Sequence, residues 1–134
     1  MTGNNKTSAA IESGVREAVA NFFRAGDEQN SALFQEWTHG NFRVIAPDYP
    51  AAGTVSVIDR TSFSDLIEKK KLGGTPRKIS FESIAEQGER AATAEVFLEG
   101  KELDFRNQIT LVRESDGWRV IQDLARVFPK KSGQ

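Results

Sequence analysis

The stretch that most constrains the fold is residues 103–128, where two runs with β-strand alternation flank the sequence Glu114-Ser115-Asp116-Gly117. Residues two or four apart lie on one face of a strand. By that rule one face of the first run is apolar and the other polar, with Phe105, Ile109 and Leu111 opposite Arg106, Gln108 and Thr110. Asp-Gly is a common pair where the backbone takes a positive φ. The sequence therefore predicts a long antiparallel hairpin.

The rest of the chain predicts two helices, a short hairpin, a third helix and a meander. Ser8 is expected to cap the first helix, Gly26 to end it, Asp27 to cap the second and Gly40 to end that one. Short strands are expected at 42–46, closed by Pro47, and at 55–58. The third helix should begin at Thr61 or Ser62, carry Lys69–Lys71 in its last turn and stop at Gly73-Gly74. Four sequential antiparallel strands follow at 79–86, 91–99, 103–113 and 118–128.

Composition limits the possible functions of the 134-residue chain. A net charge of −1 provides no field to attract nucleic acid or an anionic membrane, and neither partner is expected. The chain has no cysteine and a single histidine, so disulfides, thiolate chemistry and iron–sulfur clusters are excluded, and no metal or cofactor is expected. We predict one cytoplasmic domain over residues 8–128, a disordered tail at 1–7 and a solvated tail at 129–134.

Both faces of the predicted sheet carry apolar side chains. In the 91–99 run, Ala92, Ala94, Val96 and Leu98 share one face while Phe97 lies on the other. The helices can cover only one face of the sheet. Self-association would cover the second, and a twofold homodimer is the commonest arrangement. The sequence therefore predicts a homodimer.

The element order, the phrase Ala25-Gly26-Asp27 and the strand Asp116-Gly117-Trp118-Arg119-Val120-Ile121 together resemble the nuclear transport factor 2-like superfamily. The similarity covers about residues 8–128. Within the superfamily it is nearest to the bacterial "putative lumazine-binding"-like and SnoaL-like (polyketide cyclase-like) branches. The matching residues are structural, so they specify a fold rather than a reaction.

The resemblance implies a cone-shaped α+β barrel in which three N-terminal helices pack on a curved, mixed, mainly antiparallel sheet. It also implies a pocket between the helices and the concave face of the sheet. Members include a steroid isomerase, dehydratases, an epoxide hydrolase, polyketide cyclases and non-catalytic dimerisation modules. The catalytic positions of the isomerase relatives correspond here to Val19, Ala46, and Asn107 or Ile109, none of which is an acid or base. The enolising apparatus of that isomerase is therefore missing.

Candidate site residues fall into two groups. Asp48 and Tyr49 follow the first strand and His39 follows Trp37, so these three are the candidate acid–base residues; each also has a structural interpretation, as a turn or as a helix-end charge. Asn107 is the polar member of an apolar series and must find a partner in a ligand or in the backbone. The predicted ligand-binding residues are Phe22, Phe23, Trp37, Tyr49, Phe63, Phe105 and Asn107.

Other charged residues are expected to be structural. Asp104, Arg106 and Asp123 superficially suggest the Asp–Arg–Asp set of the epoxide hydrolase relative. Arg106 lies on the face opposite Asn107, however, so a cross-strand charge pair is expected instead. Lys69–Lys71 and Arg77-Lys78 are interpreted as a solvated face.

The sequence favours a protein that binds a small hydrophobic or heteroaromatic molecule in an apolar pocket. Two alternatives stay open at this stage. One is a cyclase, dehydratase or hydrolase that uses Asp48, Tyr49 or His39, and the other is a dimerisation module whose cone is filled by Trp37 and the phenylalanines. An enzyme requires a titratable group with a perturbed pKa inside the cavity, whereas a binding protein requires only a cavity with polar groups.

Overall fold

The computed structural model describes residues 8–130. The predicted N-terminal tail, and the predicted C-terminal tail except for its first two residues, lie outside the described residues. Three helices and six strands follow the predicted order. The helices are α1 (Ala9–Asp27), α2 (Ser31–Trp37) and α3 (Arg60–Glu68). The strands are β1 (Thr38–Pro47), β2 (Val55–Asp59), β3 (Lys78–Glu86), β4 (Ala91–Glu99), β5 (Leu103–Glu114) and β6 (Gly117–Pro129).

Helix α1 begins as predicted, because the Ser8 hydroxyl accepts a hydrogen bond from the Ile11 amide at 3.2 Å. Its apolar stripe, which includes Val15, Val19, Phe22 and Phe23, is buried against the sheet. The prediction that Gly26 ends the helix is wrong. Gly26 is a buried residue within α1, and the left-handed conformation falls instead on Gln29, at φ 54°.

Helix α2 starts later and ends earlier than its sequence pattern suggested. The Asn30 side chain caps it by accepting from the Leu33 amide at 3.0 Å, so the prediction that Asp27 is the cap is wrong. The helix ends at Trp37, where the backbone becomes extended at Thr38. Gly40 therefore lies in β1, a strand of 10 residues that is twice as long as the predicted one.

Helix α3 is capped by Asp59, which accepts from the Ser62 amide at 2.8 Å; the predicted caps Thr61 and Ser62 lie inside the helix. The predicted stop at Gly73-Gly74 is also wrong, because the helix ends at Glu68 and Lys70 already takes φ 58°. The following loop crosses the end of α1, where the Gly74 amide donates to the Gly26 carbonyl at 3.1 Å. A side chain at Gly73 would collide with that carbonyl, which explains why this crossing requires glycine.

The six strands form one mixed sheet in the order β2-β1-β6-β5-β4-β3. The predicted meander is confirmed, since β3, β4, β5 and β6 pair sequentially and antiparallel. The predicted small hairpin of β1 and β2 is also confirmed. The two units join through parallel pairing of β1 with β6, a contact between distant parts of the chain. The fold is the predicted cone-shaped α+β class, with three helices packed on a mixed sheet.

The core lies between the helices and the inner face of the sheet. Strands β4, β5 and β6 alternate between buried and exposed positions, so one face of each contacts the helices. The largest fully buried side chains include Phe34, Phe42, Ile67, Leu98, Ile109 and Leu111. The opposite face of the sheet, called the outer face below, carries Phe97 and Arg106, as predicted.

Candidate ligand-binding site

Two polar side chains lie side by side on the inner face of the sheet, surrounded by the apolar core. Asn107 on β5 and Asp123 on β6 are each only 5% exposed. In the register of these antiparallel strands Asn107 is opposite Ala125 and Asp123 is opposite Ile109, so the two polar residues are diagonal neighbours. The Asn107 amide nitrogen Nδ2 donates to Asp123 Oδ1 at 2.8 Å. The inner face of β5 and β6 therefore holds one buried pair of polar side chains among apolar ones.

Asp123 faces inward because β6 contains an irregularity in its pairing with β5. Leu111 is opposite Val120, but Thr110 is opposite Gln122, which leaves Ile121 as an extra residue. One extra residue moves every side chain that follows it to the opposite face of the sheet. Simple alternation from Trp118 would place Asp123 on the outer face. The Asp123 carboxyl group therefore lies in the core because of this bulge.

The position of Asp123 changes its protonation. Burial raises the pKa of Asp123 to about 7, while the positive charge of Arg77 and the hydrogen bond from Asn107 act in the opposite direction. A carboxyl group with this pKa holds its proton through the mildly acidic range and is half neutral near pH 7. The inner face therefore carries an acid that can donate a hydrogen bond.

Asn107 is incompletely satisfied. Among the described residues its oxygen Oδ1 is buried and has no hydrogen-bond partner. Buried polar atoms in proteins are almost always paired with protein groups, water or a ligand. The buried atom that has no partner at all is therefore an acceptor, and it belongs to a residue that alternation in the sequence predicts as a ligand-binding candidate.

Arg77 lies close to the polar pair and is held in place from two sides. Its Nε is 2.7 Å from Asp27 Oδ1, and the two side chains are only 17% and 15% exposed. The guanidinium lies over the Phe23 ring at 5.4 Å and over the Phe105 ring at 4.9 Å. The interpretation of Arg77 as part of a solvated face is therefore wrong. Its long side chain covers aromatic rings, and its charge is paired with Asp27.

Four phenylalanine rings fill the interior where α1, α2 and α3 meet β1. Phe34 lies 6.2 Å from Phe22, 5.2 Å from Phe42 and 5.2 Å from Phe63, measured between ring centroids. Phe34 is fully buried and Phe42 is 1% exposed. This part of the cone is therefore packed with aromatic side chains, and we call these four residues the phenylalanine cluster.

The predicted ligand-binding residues separate into an interior group and one surface residue. Phe22 and Phe23 belong to the core, and Trp37, Phe63 and Phe105 pack against it. Asn107 is on the same strand face as Phe105. Tyr49, in contrast, is 43% exposed in the loop after β1. The structure therefore brings six of the seven predicted residues into or against the interior and leaves Tyr49 outside.

The structure separates the candidate acid–base residues. His39 is near the start of β1 and Asp48 follows its end, so about 25 Å of extended chain lies between them. His39 Nδ1 accepts from the Asn41 amide at 3.0 Å, and its Nε2 is 3.5 Å from Glu114. Asp48 accepts from the Gly53 amide at 2.8 Å and closes the loop that carries Tyr49. His39 lies in a strand, so its interpretation as a helix-end charge is wrong.

The charge pair expected at Arg106 is present. Arg106 Nη1 is 2.9 Å from both carboxylate oxygens of Glu82, across the intervening strand β4, and its guanidinium lies 4.7 Å from the centre of the Phe97 ring. Asp104 forms an ion pair with Lys130, whose Nζ is 3.4 Å from Asp104 Oδ1. Asp123 is on the other face of the sheet, so the three residues do not form an Asp–Arg–Asp set.

Sequence reasoning missed Asp123 and Arg77 as members of the site. The bulge changes which residues of β6 face inward. The buried positions Trp118 and Val120 before it are even-numbered, whereas the buried position Ala125 after it is odd-numbered. The buried carboxyl group of this face lies on the neighbouring strand, where Asp123 is directly opposite Ile109. For Arg77 the sequence offers no comparable indication.

Within residues 8–130 no group of three or more His, Cys, Asp or Glu side chains is arranged to hold a metal ion. None of the helices in that range is long and apolar enough to cross a membrane.

Comparison with protein-family models identifies the chain. Residues 10–124 match the family described as "Putative lumazine-binding", which covers most of the sequence. The chain belongs to this family. Comparison with curated protein sequences finds no match.

Solved structures confirm that this family member has the nuclear transport factor 2-like fold. An NTF-2 like protein of unknown function from Silicibacter pomeroyi aligns with a TM-score of 0.78 at 16% identity, over 92% of this chain and 100% of that one. An NTF2-like protein of unknown function from Shewanella baltica has a TM-score of 0.76, also at 16% identity, over 93% and 100% of the two chains. A ketosteroid isomerase-like protein from Erwinia carotovora has a TM-score of 0.72 at 7% identity, over 91% and 98%. At these identities the likeness concerns the fold alone.

Proposed function

We propose that the chain is a small-molecule-binding protein whose ligand, a small hydrophobic or heteroaromatic molecule, occupies the interior between the helices and the inner face of the sheet. The observation that carries the proposal is the polar pair Asn107–Asp123 in an apolar interior, with an acceptor atom of Asn107 left without a partner. Binding sites for small molecules typically combine apolar walls with a few placed polar groups. The family description, which refers to lumazine binding, supports this class of function.

The walls of the proposed site are aromatic. Phe23 and Phe105 lie beneath the guanidinium of Arg77, and Phe105 is on the same strand face as Asn107. The Phe22 ring lies 4.9 Å from that of Phe23, between centroids, and so connects this region to the phenylalanine cluster, which includes Phe63. Trp37 packs against the core beneath Arg119, whose guanidinium is 5.6 Å from its ring. The exposed Tyr49 is not part of the proposed site.

Ligand binding is testable by thermal unfolding of the full chain. A ligand that binds only the folded state at 100 times its Kd adds about 2.7 kcal/mol of stability, which corresponds to a Tm increase of about 10 °C for a domain of this size. We expect such a shift with at least one compound among lumazine, other flavin precursors, aromatic polyketides and steroids. The variants Asp48→Ala and His39→Ala should retain the shift, because neither residue belongs to the proposed site and each has a hydrogen bond within its own segment of the chain.

If no compound of these classes changes Tm, the binding proposal fails. The phenylalanine cluster would then favour the alternative of a dimerisation module with a filled cone, because close-packed rings at 5.2 Å leave that region no room for a ligand. A ligand response that depends on Asp48 or His39 would instead revive the enzyme alternative.

We further propose that the chain forms a homodimer through the outer face of the sheet. This face carries Phe97 beneath Arg106. It also carries a groove of about 220 Å³, lined by Glu82, Glu95, Val96, Arg106, Asn107, Gln108, Leu124 and Arg126. At the β2 end of the sheet, Val55 and Val57 are each 62% exposed. Apolar side chains among charged ones are typical of surfaces that bind another protein.

Replacing Phe97 with glutamate should weaken the dimer at least about 10-fold, because the new carboxylate would lose its hydration in the interface. Sedimentation equilibrium measures the association constant directly. Ala20→Glu provides the control, since Ala20 is exposed on α1, on the opposite side of the sheet. A wild-type monomer, or a dimer that both variants leave intact, would rule out this interface.

A further inference from the structure

The polar pair has bonding capacity that the protein itself does not use. The hydrogen bond between the two side chains occupies one proton of Asn107 Nδ2 and one oxygen of Asp123. Asn107 Oδ1 stays a buried acceptor without a partner among the described residues. The hydrogen bond from Asn107 is the one that the Asp123 carboxyl makes within that part of the chain. An acceptor and a carboxyl oxygen are thus available next to each other on two adjacent strands.

The second oxygen of Asp123 acts as a donor when the carboxyl holds its proton. Burial raises the pKa of Asp123 to about 7, against the influence of the Arg77 charge. That charge is itself largely paired with Asp27, at 2.7 Å. The pair Asn107–Asp123 then offers one acceptor and one donor on two adjacent strands. A ligand that satisfies both atoms must offer a donor and an acceptor in the reverse order.

We propose that Asn107 and Asp123 bind the cis-lactam edge of a planar heteroaromatic ligand, with the ligand N–H donating to Asn107 Oδ1 and its carbonyl accepting from the Asp123 carboxyl. This inference rests on the proposed function and specifies the chemical class of its ligand. Pyrimidinones, quinolones and pteridinones carry such an edge. A simple ketone or hydrocarbon does not, and would leave the pair unsatisfied.

The surroundings of the pair favour a flat ring over a flexible chain. Phe105 is on the same strand face as Asn107, and its ring lies under the Arg77 guanidinium at 4.9 Å. Phe23 lies under the same guanidinium at 5.4 Å. Aromatic rings and a guanidinium plane are partners on which a planar heterocycle stacks. The lactam edge would therefore fix the orientation of a ring that the aromatic walls hold.

Two other occupants of the space beside the pair give different results in the same experiment. A buried water molecule would satisfy Asn107 Oδ1 without any ligand. A cationic ligand, such as an amidine, would pair with an ionised Asp123 and with Asn107 Oδ1. If a water molecule occupies this space, the affinity of a ligand should not depend on its lactam group. If a cationic ligand occupies it, that ligand should bind more tightly at higher pH.

The first arm of the test changes the ligand and leaves the protein intact. Binding of 2-quinolone to the full chain is measured by calorimetry and compared with that of 1-methyl-2-quinolone, which has no N–H, and of naphthalene, which has neither group. We expect affinity to fall at least about 10-fold on N-methylation, because Asn107 Oδ1 then has no donor. Equal affinity of the two quinolones overturns the inference while the proposed function stands.

The second arm changes the pair. Asn107→Leu removes the acceptor and should reduce the affinity for 2-quinolone by about 10-fold without affecting naphthalene. Asp123→Asn supplies a permanent donor of the same shape, so affinity should stay within about threefold of wild type. In wild type, affinity should fall about 10-fold between about pH 6 and about pH 8, as Asp123 loses its proton, and this dependence should vanish in Asp123→Asn.

These outcomes distinguish failure of the lactam-edge inference from failure of the proposed ligand-binding function. Binding of naphthalene alone, or tighter binding of a cationic amidine such as benzamidine at higher pH, refutes the lactam edge but retains an interior ligand site. Binding of quinolones with no effect of Asn107→Leu also refutes it. Absence of binding by every probe refutes this inference, and if the wider compound series also leaves Tm unchanged, the proposed function fails with it.

Discussion

Replacing Phe34 with alanine is expected to lower the free energy of unfolding by about 3–5 kcal/mol, the usual cost of removing a fully buried phenylalanine ring. Phe34 has no exposed surface, and its ring contacts those of Phe22, Phe42 and Phe63. Because these neighbours come from α1, β1 and α3, the cavity left by the substitution cannot be closed by movement of a single element. Urea denaturation monitored by tryptophan fluorescence measures the loss.

Tyr49→Ala provides the matched control, since it also removes an aromatic ring but from a side chain that is 43% exposed. We expect that variant to lose less than about 1 kcal/mol. If both substitutions cost the same, the phenylalanine cluster does not hold the helices on the sheet in the way described.

Replacing Asp123 with asparagine is expected to change how stability depends on pH. Asp123 has an ordinary pKa of 3.8 when unfolded and a pKa of about 7 in the folded chain. Between these values the folded state keeps a proton that the unfolded state has released, so stability falls as pH rises through this range. From about pH 5 to about pH 8 the loss attributable to this one group is on the order of 2–3 kcal/mol. The Asn variant has no proton to lose and should lack this part of the decline.

The measurement is the free energy of unfolding at the two pH values for wild type and variant. Asp116→Asn is the control, because the Asp116 side chain is 72% exposed and the same substitution there should leave the wild-type pH dependence unchanged. An Asp123→Asn variant whose stability falls with pH as steeply as wild type would mean that Asp123 ionises normally in the folded chain. The donor role of Asp123 in ligand binding would then be excluded as well.

The parts of the fold that local chemistry specifies were predictable from the sequence. The Asp116-Gly117 turn and the alternation of β5 predict a hairpin, and the hairpin is present with Glu114 opposite Gly117. Ser8 is the cap that its hydroxyl predicts for α1. In both cases the determining contacts are between residues close in sequence, so they can be inferred without knowledge of the rest of the molecule.

Predictions failed where distant contacts outweighed local preference. Gly26 is a plausible helix stop in isolation, yet it lies within α1 because its carbonyl receives the Gly74 amide from the loop after α3. Asp27 is a plausible cap, but its carboxylate is taken by Arg77, 50 residues later in the chain. Neither partner can be identified from the sequence around the residue itself. The observed helix boundaries therefore differ from the predicted ones, although the number and order of the helices agree.

Half of the candidate site was predictable for a similar reason. Asn107 follows from strict alternation in β5, a strand without irregularity at that point. Asp123 required knowledge of the bulge at Ile121, and a bulge depends on how two strands pair rather than on the composition of one. A single extra residue thus decides whether the carboxyl group of Asp123 is part of the surface or part of the interior.

The most direct test of the account is to observe Asn107 itself while a lactam ligand is added. In ¹⁵N-labelled protein, the two side-chain amide protons of Asn107 are expected to shift on titration with 2-quinolone, together with backbone amides of the neighbouring residues on β5 and β6. Titration with 1-methyl-2-quinolone at the same concentration should shift them less. Shifts confined to the outer face around Leu124 and Arg126, or to the loop at Tyr49, would contradict the placement of the ligand beside the buried pair.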